Sequence, residues 1–175
     1  MPRILLPVSE IDLVATRAIS MASPAVSAAF AAGWLCDARV LFAGGALWHL
    51  ATPHGSEQRD EAARFLITIA CTTAVHHAIK RVVDQKRPDR IIGKGQRRTG
   101  RALDAIPSGH AMHAGAIAAF FSQTVKWPSG LWSTAIALAA ARVAVLAHWP
   151  SGVALGFAGG VAVERLVRRF RPRTP

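Results

Sequence analysis

Cysteine and acidic residues are scarce in this sequence, and what little there is excludes several classes of protein. The two cysteines, Cys36 and Cys71, match no metal-binding spacing, and each lies in or beside an apolar block, as small packing residues do. Asp and Glu total 10 against 21 Lys and Arg, which leaves a formal net charge of +11. The basic residues flank apolar blocks and form no stripe interleaved with aromatic residues. This pattern argues against nucleic-acid binding and favours cationic anchors beside a membrane.

Hydrophobic residues make up 51% of the chain and gather into blocks of roughly 15 to 20 residues. Small residues abound in these blocks, and Trp127, Trp132 and Trp149 stand near their ends, where tryptophan meets the membrane interface. We therefore predict an all-α, integral membrane bundle of about six transmembrane helices, in one domain over residues 1–175. A soluble helical bundle with alanine-rich cores is the alternative. The candidate helices are Ala18–Trp34, Val40–Ala51, Phe65–Ile79, Gly109–Val125, Leu131–Ala147 and Val153–Val167.

The polar segments complete this plan. The first apolar run is too short for a secretory signal and has no clear cleavage site, so insertion is expected to use uncleaved helices. Residues 7–17 could form an amphipathic interfacial helix with Ile11, Leu13 and Val14 toward lipid. Thr52–Arg64 reads as a polar break, Arg81–Pro107 as a loop outside the bilayer, and residues 168–175 as a basic tail.

Lys80 and Arg87 form the first of three polar clusters at the ends of apolar blocks. If the helix continues past Lys80, seven residues are nearly two turns, and both cations share one face about 10 Å apart along the axis. They could then converge on one anion before Pro88 ends the helix. A basic collar that snorkels to the interface is the alternative.

The second cluster, Ser108-Gly109-His110, directly precedes the fourth apolar block. Ser108 is a favourable N-cap, and the free amides of a helix N-terminus suit phosphate. Gly109 would let the backbone approach a ligand, and His110 would point into the same space. An ordinary helix cap with an interfacial histidine is the alternative.

The third cluster joins Arg142 to His148. Arg142 lies inside the apolar run Ala139–Ala147, and an ionisable residue in such a run is a functional candidate because burying it is costly. A structural arginine with a buried partner is the alternative. Cations that stabilise spread charge, a nucleophile and an acid are what phosphoryl transfer requires.

In order along the chain, Lys-x6-Arg-Pro, Pro-Ser-Gly-His and Arg-x5-His resemble the tripartite motif of the type 2 phosphatidic acid phosphatase superfamily. The match covers residues 80–152. The resemblance implies a phosphatase that needs no metal or other cofactor, with His148 as the nucleophile that forms a phosphohistidine and His110 as the general acid. It also implies phosphate-binding groups at Lys80, Arg87, Ser108, Gly109 and Arg142.

Two positions depart from the family pattern, because Ala141 and Gly152 stand where the family usually has serine and aspartate. The aspartate normally hydrogen-bonds the nucleophilic imidazole and fixes its tautomer. Asp104, Ser151 or a backbone carbonyl could substitute for it in this chain. The histidines outside the motif gain no carboxylate or cysteine at ligand spacing, so no metal site is expected.

The resemblance implies hydrolysis of a membrane lipid phosphate or pyrophosphate, such as a polyprenyl phosphate, phosphatidic acid or phosphatidylglycerophosphate. A catalytically impaired phosphate-lipid-binding or scaffold protein and a phosphotransferase with the same intermediate are the alternatives. Six crossings place both termini on one side, and the Lys and Arg residues then divide evenly between the sides. Discounting Lys80 and Arg87 tilts the termini inward, so we expect an extracytoplasmic active site in a bacterial cell membrane. The sequence defines no oligomeric state.

Overall fold

The computed structural model describes residues 3–21, 33–92 and 101–171, and these form an all-α fold, as predicted. A parallel pair of two-residue strands, β1 (Ile4–Leu5) and β2 (Val83–Asp84), and the 3-10 turns Gly33–Cys36 and Pro88–Arg90 accompany the helices. Six α-helices lie in the described ranges: α1 (Glu10–Met21), α2 (Ala38–Ala51), α3 (Glu57–Val82), α4 (Gly109–Phe121), α5 (Pro128–Ala144) and α6 (Pro150–Phe170).

Helix α1 covers most of the predicted interfacial helix. Ile11 and Val14 are exposed on it, whereas Asp12 is buried. The first predicted membrane helix, Ala18–Trp34, lies mostly outside the described residues. Five of the six candidate helices therefore have a counterpart in the described structure, and α1 is a sixth helix of a different kind.

Helix α3 begins at Glu57, eight residues before the predicted start at Phe65. Ser56 caps it by accepting a hydrogen bond from the Arg59 amide at 3.2 Å, and acidic side chains in the first turn favour the positive end of the helix. Most of the segment interpreted as a polar break is thus helical. Helix α3 has 26 residues and is about 39 Å long. Within the part of the chain that the structure describes, α3 alone is long and apolar enough to cross a membrane.

Arg64 shows why the predicted polar break over Thr52–Arg64 was wrong. Its side chain is buried inside the bundle rather than placed at a polar surface. The guanidinium lies 3.7 Å from Glu164 of α6 and 4.3 Å from the centre of the Phe120 ring. A charge paired in this way can stay within an apolar helix. Arg64 is therefore not one of the exposed basic anchors.

The other helices also shift against the predicted bounds. Helix α4 ends at Phe121 instead of Val125, whereas α5 spans Pro128–Ala144 instead of Leu131–Ala147. Both α5 and α6 begin with a proline, which suits the first helical position because it has no N–H to leave unsatisfied. The predictions followed hydrophobicity and missed these start signals.

Helices α4 and α6 touch backbone to backbone at glycines. A Cβ at Gly160 would overlap the main chain of Met112 in α4, and one at Gly156 would lie 2.5 Å from the Ser108 carbonyl oxygen. Gly159 instead faces the end of the Met112 side chain. This contact holds the N-terminus of α4 against the first half of α6, and both ends contribute to the site described next.

Candidate active site

Lys80 and Arg87 approach each other without sharing a helix. Helix α3 ends at Val82, and the chain then pairs as β2 with β1, in the register Ile4 to Val83. Arg87 lies in extended backbone directly before the Pro88–Arg90 turn. The helix considered as continuing from Lys80 to Arg87 does not form, and the two cations converge because the chain bends back after Val82.

Asp104 joins the two cations. Its carboxylate forms an ion pair with Lys80 Nζ through Oδ1, and Arg87 Nη2 lies 3.3 Å from Oδ2. Burial alone would raise the pKa of Asp104, but the Lys80 hydrogen bond and charge, followed by those of Arg87, lower it. Asp104 is thus an ionised bridge between the cations. The sequence suggested Asp104 as a possible partner for His148, but in the structure Asp104 binds the two cations instead.

Ser108 begins α4 as predicted. It is fully buried, and its hydroxyl accepts a hydrogen bond from the Ala111 amide at 3.4 Å. The Ser108 amide donates to the Gly152 carbonyl at 3.0 Å, which ties the start of α4 to the start of α6. At Gly109 a Cβ would lie 2.9 Å from His76 Nε2, so the neighbour that a side chain there would displace is the His76 ring.

Arg142 and His110 meet beside Gly33. A Cβ at Gly33 would lie 2.7 Å from Arg142 Nη1 and 3.9 Å from His110 Cδ2. Together with Trp34 and Asp37 these residues line a cavity of about 170 Å³. The Arg142 side chain is buried, and its Nε has no hydrogen-bond partner among the described residues. A buried guanidinium with an unused donor is suited to an anion.

His148 is held by the turn that follows α5. Leu146 adopts a left-handed backbone with φ of 56°, and the Ala147 and His148 amides both donate to the Arg142 carbonyl, at 3.0 and 3.2 Å. The imidazole is 3% exposed, and its Nδ1 lies 2.7 Å from the Ala105 carbonyl oxygen. Because a carbonyl can only accept, Nδ1 carries the hydrogen and Nε2 has the free lone pair.

Electrostatics keep this imidazole neutral. Burial lowers the pKa of His148 well below its usual value, and the positive charges of Arg87, Lys80 and Arg142 act in the same direction. The hydrogen bond to Ala105 opposes them but is outweighed. All three cations therefore lie near one neutral histidine, which is the arrangement a nucleophile for a phosphate needs.

The third candidate partner of His148, a backbone carbonyl, is the one that the structure places there. Ser151, the other side chain considered, is engaged elsewhere: its amide and hydroxyl donate to Asp12 at 2.9 and 2.7 Å. Asp12 of α1 thereby caps the N-terminus of α6. Nothing in the sequence signals a contact across 139 residues, so this capping residue was missed.

Trp149 was also misread. It was expected at the membrane interface but is fully buried, and its indole donates to the Lys86 carbonyl at 2.6 Å. This bond fastens the segment after His148 to the segment that carries Arg87. The position of a tryptophan beside a polar motif, rather than at the outer end of a helix, was the available signal.

A larger cavity of about 650 Å³ opens beside Lys80 and Arg87. Its walls include Asp104 and the two neighbouring histidines, His76 and His77. They also include three arginines outside the motif, namely Arg3, Arg81 and Arg101. The candidate active site thus continues into a cationic space larger than one phosphate.

The match to a family model agrees with this geometry. The model of the PAP2 superfamily matches residues 61–174, which is more than half of the chain. The chain therefore belongs to the PAP2 superfamily. No curated protein matches it.

Two solved structures resemble the whole fold. LpxE from Aquifex aeolicus is 18% identical, with a TM-score of 0.80 over 95% of this chain and 99% of that one. The transmembrane PAP2-type phosphatidylglycerolphosphate phosphatase from Bacillus subtilis is 20% identical, with a TM-score of 0.56 over 93% and 87%. At these identities the likeness establishes the fold.

Proposed function

We propose that this protein is a membrane lipid phosphatase that works through a phosphohistidine on His148. The observation that carries the proposal is the neutral imidazole of His148, with Nε2 free, among the cations Lys80, Arg87 and Arg142. Membership of the PAP2 superfamily supports it. Arg142 Nε, which has no hydrogen-bond partner among the described residues, would donate to a phosphoryl oxygen bound there.

The reaction takes two steps. His148 Nε2 attacks phosphorus, the bond between phosphorus and the lipid oxygen breaks, and His110 gives that oxygen a proton. Water then attacks the phosphohistidine and gives a proton to His110, which restores the acid; the N–P bond breaks, and Nε2 regains its lone pair. The three cations stabilise the charge on the phosphoryl oxygens in both steps, with the Ser108 hydroxyl and the Gly109 amide as further donors. No step in this scheme uses a metal.

We propose a membrane location with about six crossings, and several observations support the membrane location itself. Large apolar side chains are exposed on several helices, with Leu47 and Leu50 on α2 and Leu155 and Leu166 on α6 more than half exposed. The similar Bacillus subtilis structure is described as transmembrane. We propose that the active site faces the extracytoplasmic side. Arg64 is buried, and Arg3, which the sequence placed on the terminal side, lines the active-site cavity because β1 pairs with β2. The basic anchors therefore no longer tilt toward the terminal side, and the N-terminus lies at the active-site face instead of opposite it, so the predicted placement of both termini on one side was wrong.

The substrate is proposed to be a lipid phosphate or pyrophosphate. LpxE and the phosphatidylglycerolphosphate phosphatase share the fold. Arg3, Arg81 and Arg101 supply cations beyond the phosphate site, in a cavity of about 650 Å³. These charges favour a headgroup that carries a second phosphate or another acidic group next to the scissile one.

Phosphate release by the purified protein in detergent tests the proposal on a panel of polyprenyl phosphates, a polyprenyl pyrophosphate, phosphatidic acid and phosphatidylglycerophosphate. We expect His148→Ala to lose on the order of 10³-fold or more in kcat. His54→Ala is the matched control, because His54 is exposed in the turn between α2 and α3. Full activity of His148→Ala on every substrate that the native protein hydrolyses would exclude this mechanism.

A further inference from the structure

We infer that the backbone carbonyl of Ala105 positions the nucleophilic imidazole in this protein, and that Gly152 is the residue that allows it to. The inference rests on the proposed function, since it assigns how His148 is oriented for attack. The Ala105 oxygen lies 2.7 Å from His148 Nδ1, and a Cβ at Gly152 would lie 2.8 Å from that same oxygen.

The carbonyl is fixed by its surroundings. Ala105 is fully buried, and its amide donates to the Gln85 carbonyl at 3.1 Å. Asp104, one residue earlier, is bound to Lys80 and Arg87. The chain directly before the acceptor is therefore held by a hydrogen bond and ion pairs, and the chain after it is held by the bond from the Ser108 amide to the Gly152 carbonyl, so the oxygen is fixed where it meets the imidazole.

Gly152 leaves the space that this arrangement needs. A distance of 2.8 Å from a Cβ to a backbone oxygen is shorter than real contacts allow, so either the carbonyl or α6 would have to move. The Gly152 carbonyl also accepts the Ser108 amide at 3.0 Å, and Asp12 holds the neighbouring Ser151, which resists such a move. A side chain at position 152 and the acceptor at Ala105 therefore exclude each other.

This exclusion changes the meaning of the family difference. Where the family usually has an aspartate, this chain has a glycine, and a main-chain oxygen takes over the hydrogen bond to the histidine. The glycine then does not indicate a decayed enzyme. A nucleophilic histidine needs a fixed tautomer with Nε2 free to attack, and Gly152 allows a main-chain oxygen to fix that tautomer instead of a carboxylate.

The two solutions differ chemically. A carbonyl accepts the Nδ1 hydrogen but carries no full negative charge, so it supports a positive imidazole less than a carboxylate does. Nδ1 keeps its hydrogen throughout, while the bond from Nε2 to phosphorus forms and later breaks. A less basic imidazole is a weaker nucleophile and a better leaving group. Hydrolysis of the phosphohistidine should therefore be faster, relative to its formation, than with a carboxylate partner.

Substitutions at two glycines of α6 test the inference through kcat and KM. Gly152→Ala and Gly152→Asp should each lower kcat about 10- to 100-fold, because both displace the carbonyl, with KM changed less than about threefold. Gly159→Ala is the control, since its Cβ would meet the flexible Met112 side chain at 3.5 Å, which is an ordinary contact distance. A Gly152→Asp variant that exceeds the native kcat would overturn the inference.

The tautomer of His148 provides a measurement that does not depend on turnover. In protein labelled with ¹⁵N-histidine, the NMR resonances of His148 are identified as those that disappear in His148→Gln. At neutral pH they should show a hydrogen on Nδ1 and none on Nε2. Gly152→Ala should lose this tautomer preference. A hydrogen on Nε2 in the native protein would refute the inference even if the enzyme is active. A hydrogen on Nδ1 without phosphate release would refute the proposed function alone. The native measurement decides even if the Gly152 variants do not fold.

Discussion

Replacing Gly160 by alanine should loosen the bundle at the contact that positions the active site. A Cβ there would lie 2.7 Å from the Met112 carbonyl carbon and 2.9 Å from the Ala116 nitrogen, both backbone atoms of α4 that cannot rotate away. Overpacking of this kind typically costs about 1–3 kcal/mol, and we expect the upper end because only main chain is in the way. Alanine in place of glycine in a helix returns about 1 kcal/mol.

The net loss is therefore about 2 kcal/mol, which corresponds to a fall in Tm of roughly 4–8 °C for a chain of this size. Thermal unfolding in detergent measures it. Gly159→Ala should instead stabilise the protein by about 1 kcal/mol and raise Tm by a few degrees, because alanine has the higher helix propensity and its Cβ makes only an ordinary contact with Met112. Equal Tm shifts for the two variants would refute the proposed backbone contact between α4 and α6.

Three further predictions concern charge. Arg142→Lys should lower kcat/KM about 100-fold, since lysine keeps the charge but lacks the planar fork that a phosphate can fill, and initial rates on the preferred lipid check it. The pKa of His148 is lowered in the folded protein, so the native protein should lose stability relative to His148→Gln as pH falls below about 6.5, where the unfolded histidine takes up a proton. Tm values of both proteins across pH test this, and a difference in Tm that does not change with pH contradicts it. Arg64→Met should cost about 3–5 kcal/mol of unfolding free energy by leaving Glu164 unpaired, and Arg64→Met/Glu164→Leu should recover most of it.

The sequence was most informative where side-chain chemistry and chain order agree. Ser108 as a helix cap, and the placement of His110, Arg142 and His148 near the cations, follow from residue types at helix ends. The family pattern supplied their order. Helix class was predictable for the same reason, because apolar blocks separated by polar breaks allow few other folds.

Other features depend on the backbone or on distant contacts, which leave no mark on residue type. The acceptor for His148 is a main-chain oxygen, so a search among side chains could not single it out. Arg87 reaches the site through extended chain instead of a helix, because β2 pairs with β1 directly after Val82. From the sequence Arg64 resembles a surface charge, and its burial is explained by Glu164 on α6 and by the Phe120 ring, which the sequence does not place beside it.

Trapping the covalent intermediate tests the central claim most directly. A ³²P-labelled lipid phosphate, mixed with the enzyme and quenched within one turnover, should leave an acid-labile, base-stable label on the peptide that carries His148. The label should be absent in His148→Ala and present in His54→Ala. Label on another residue, or hydrolysis without any label on His148 in rapid-quench samples that turn over, would contradict the account.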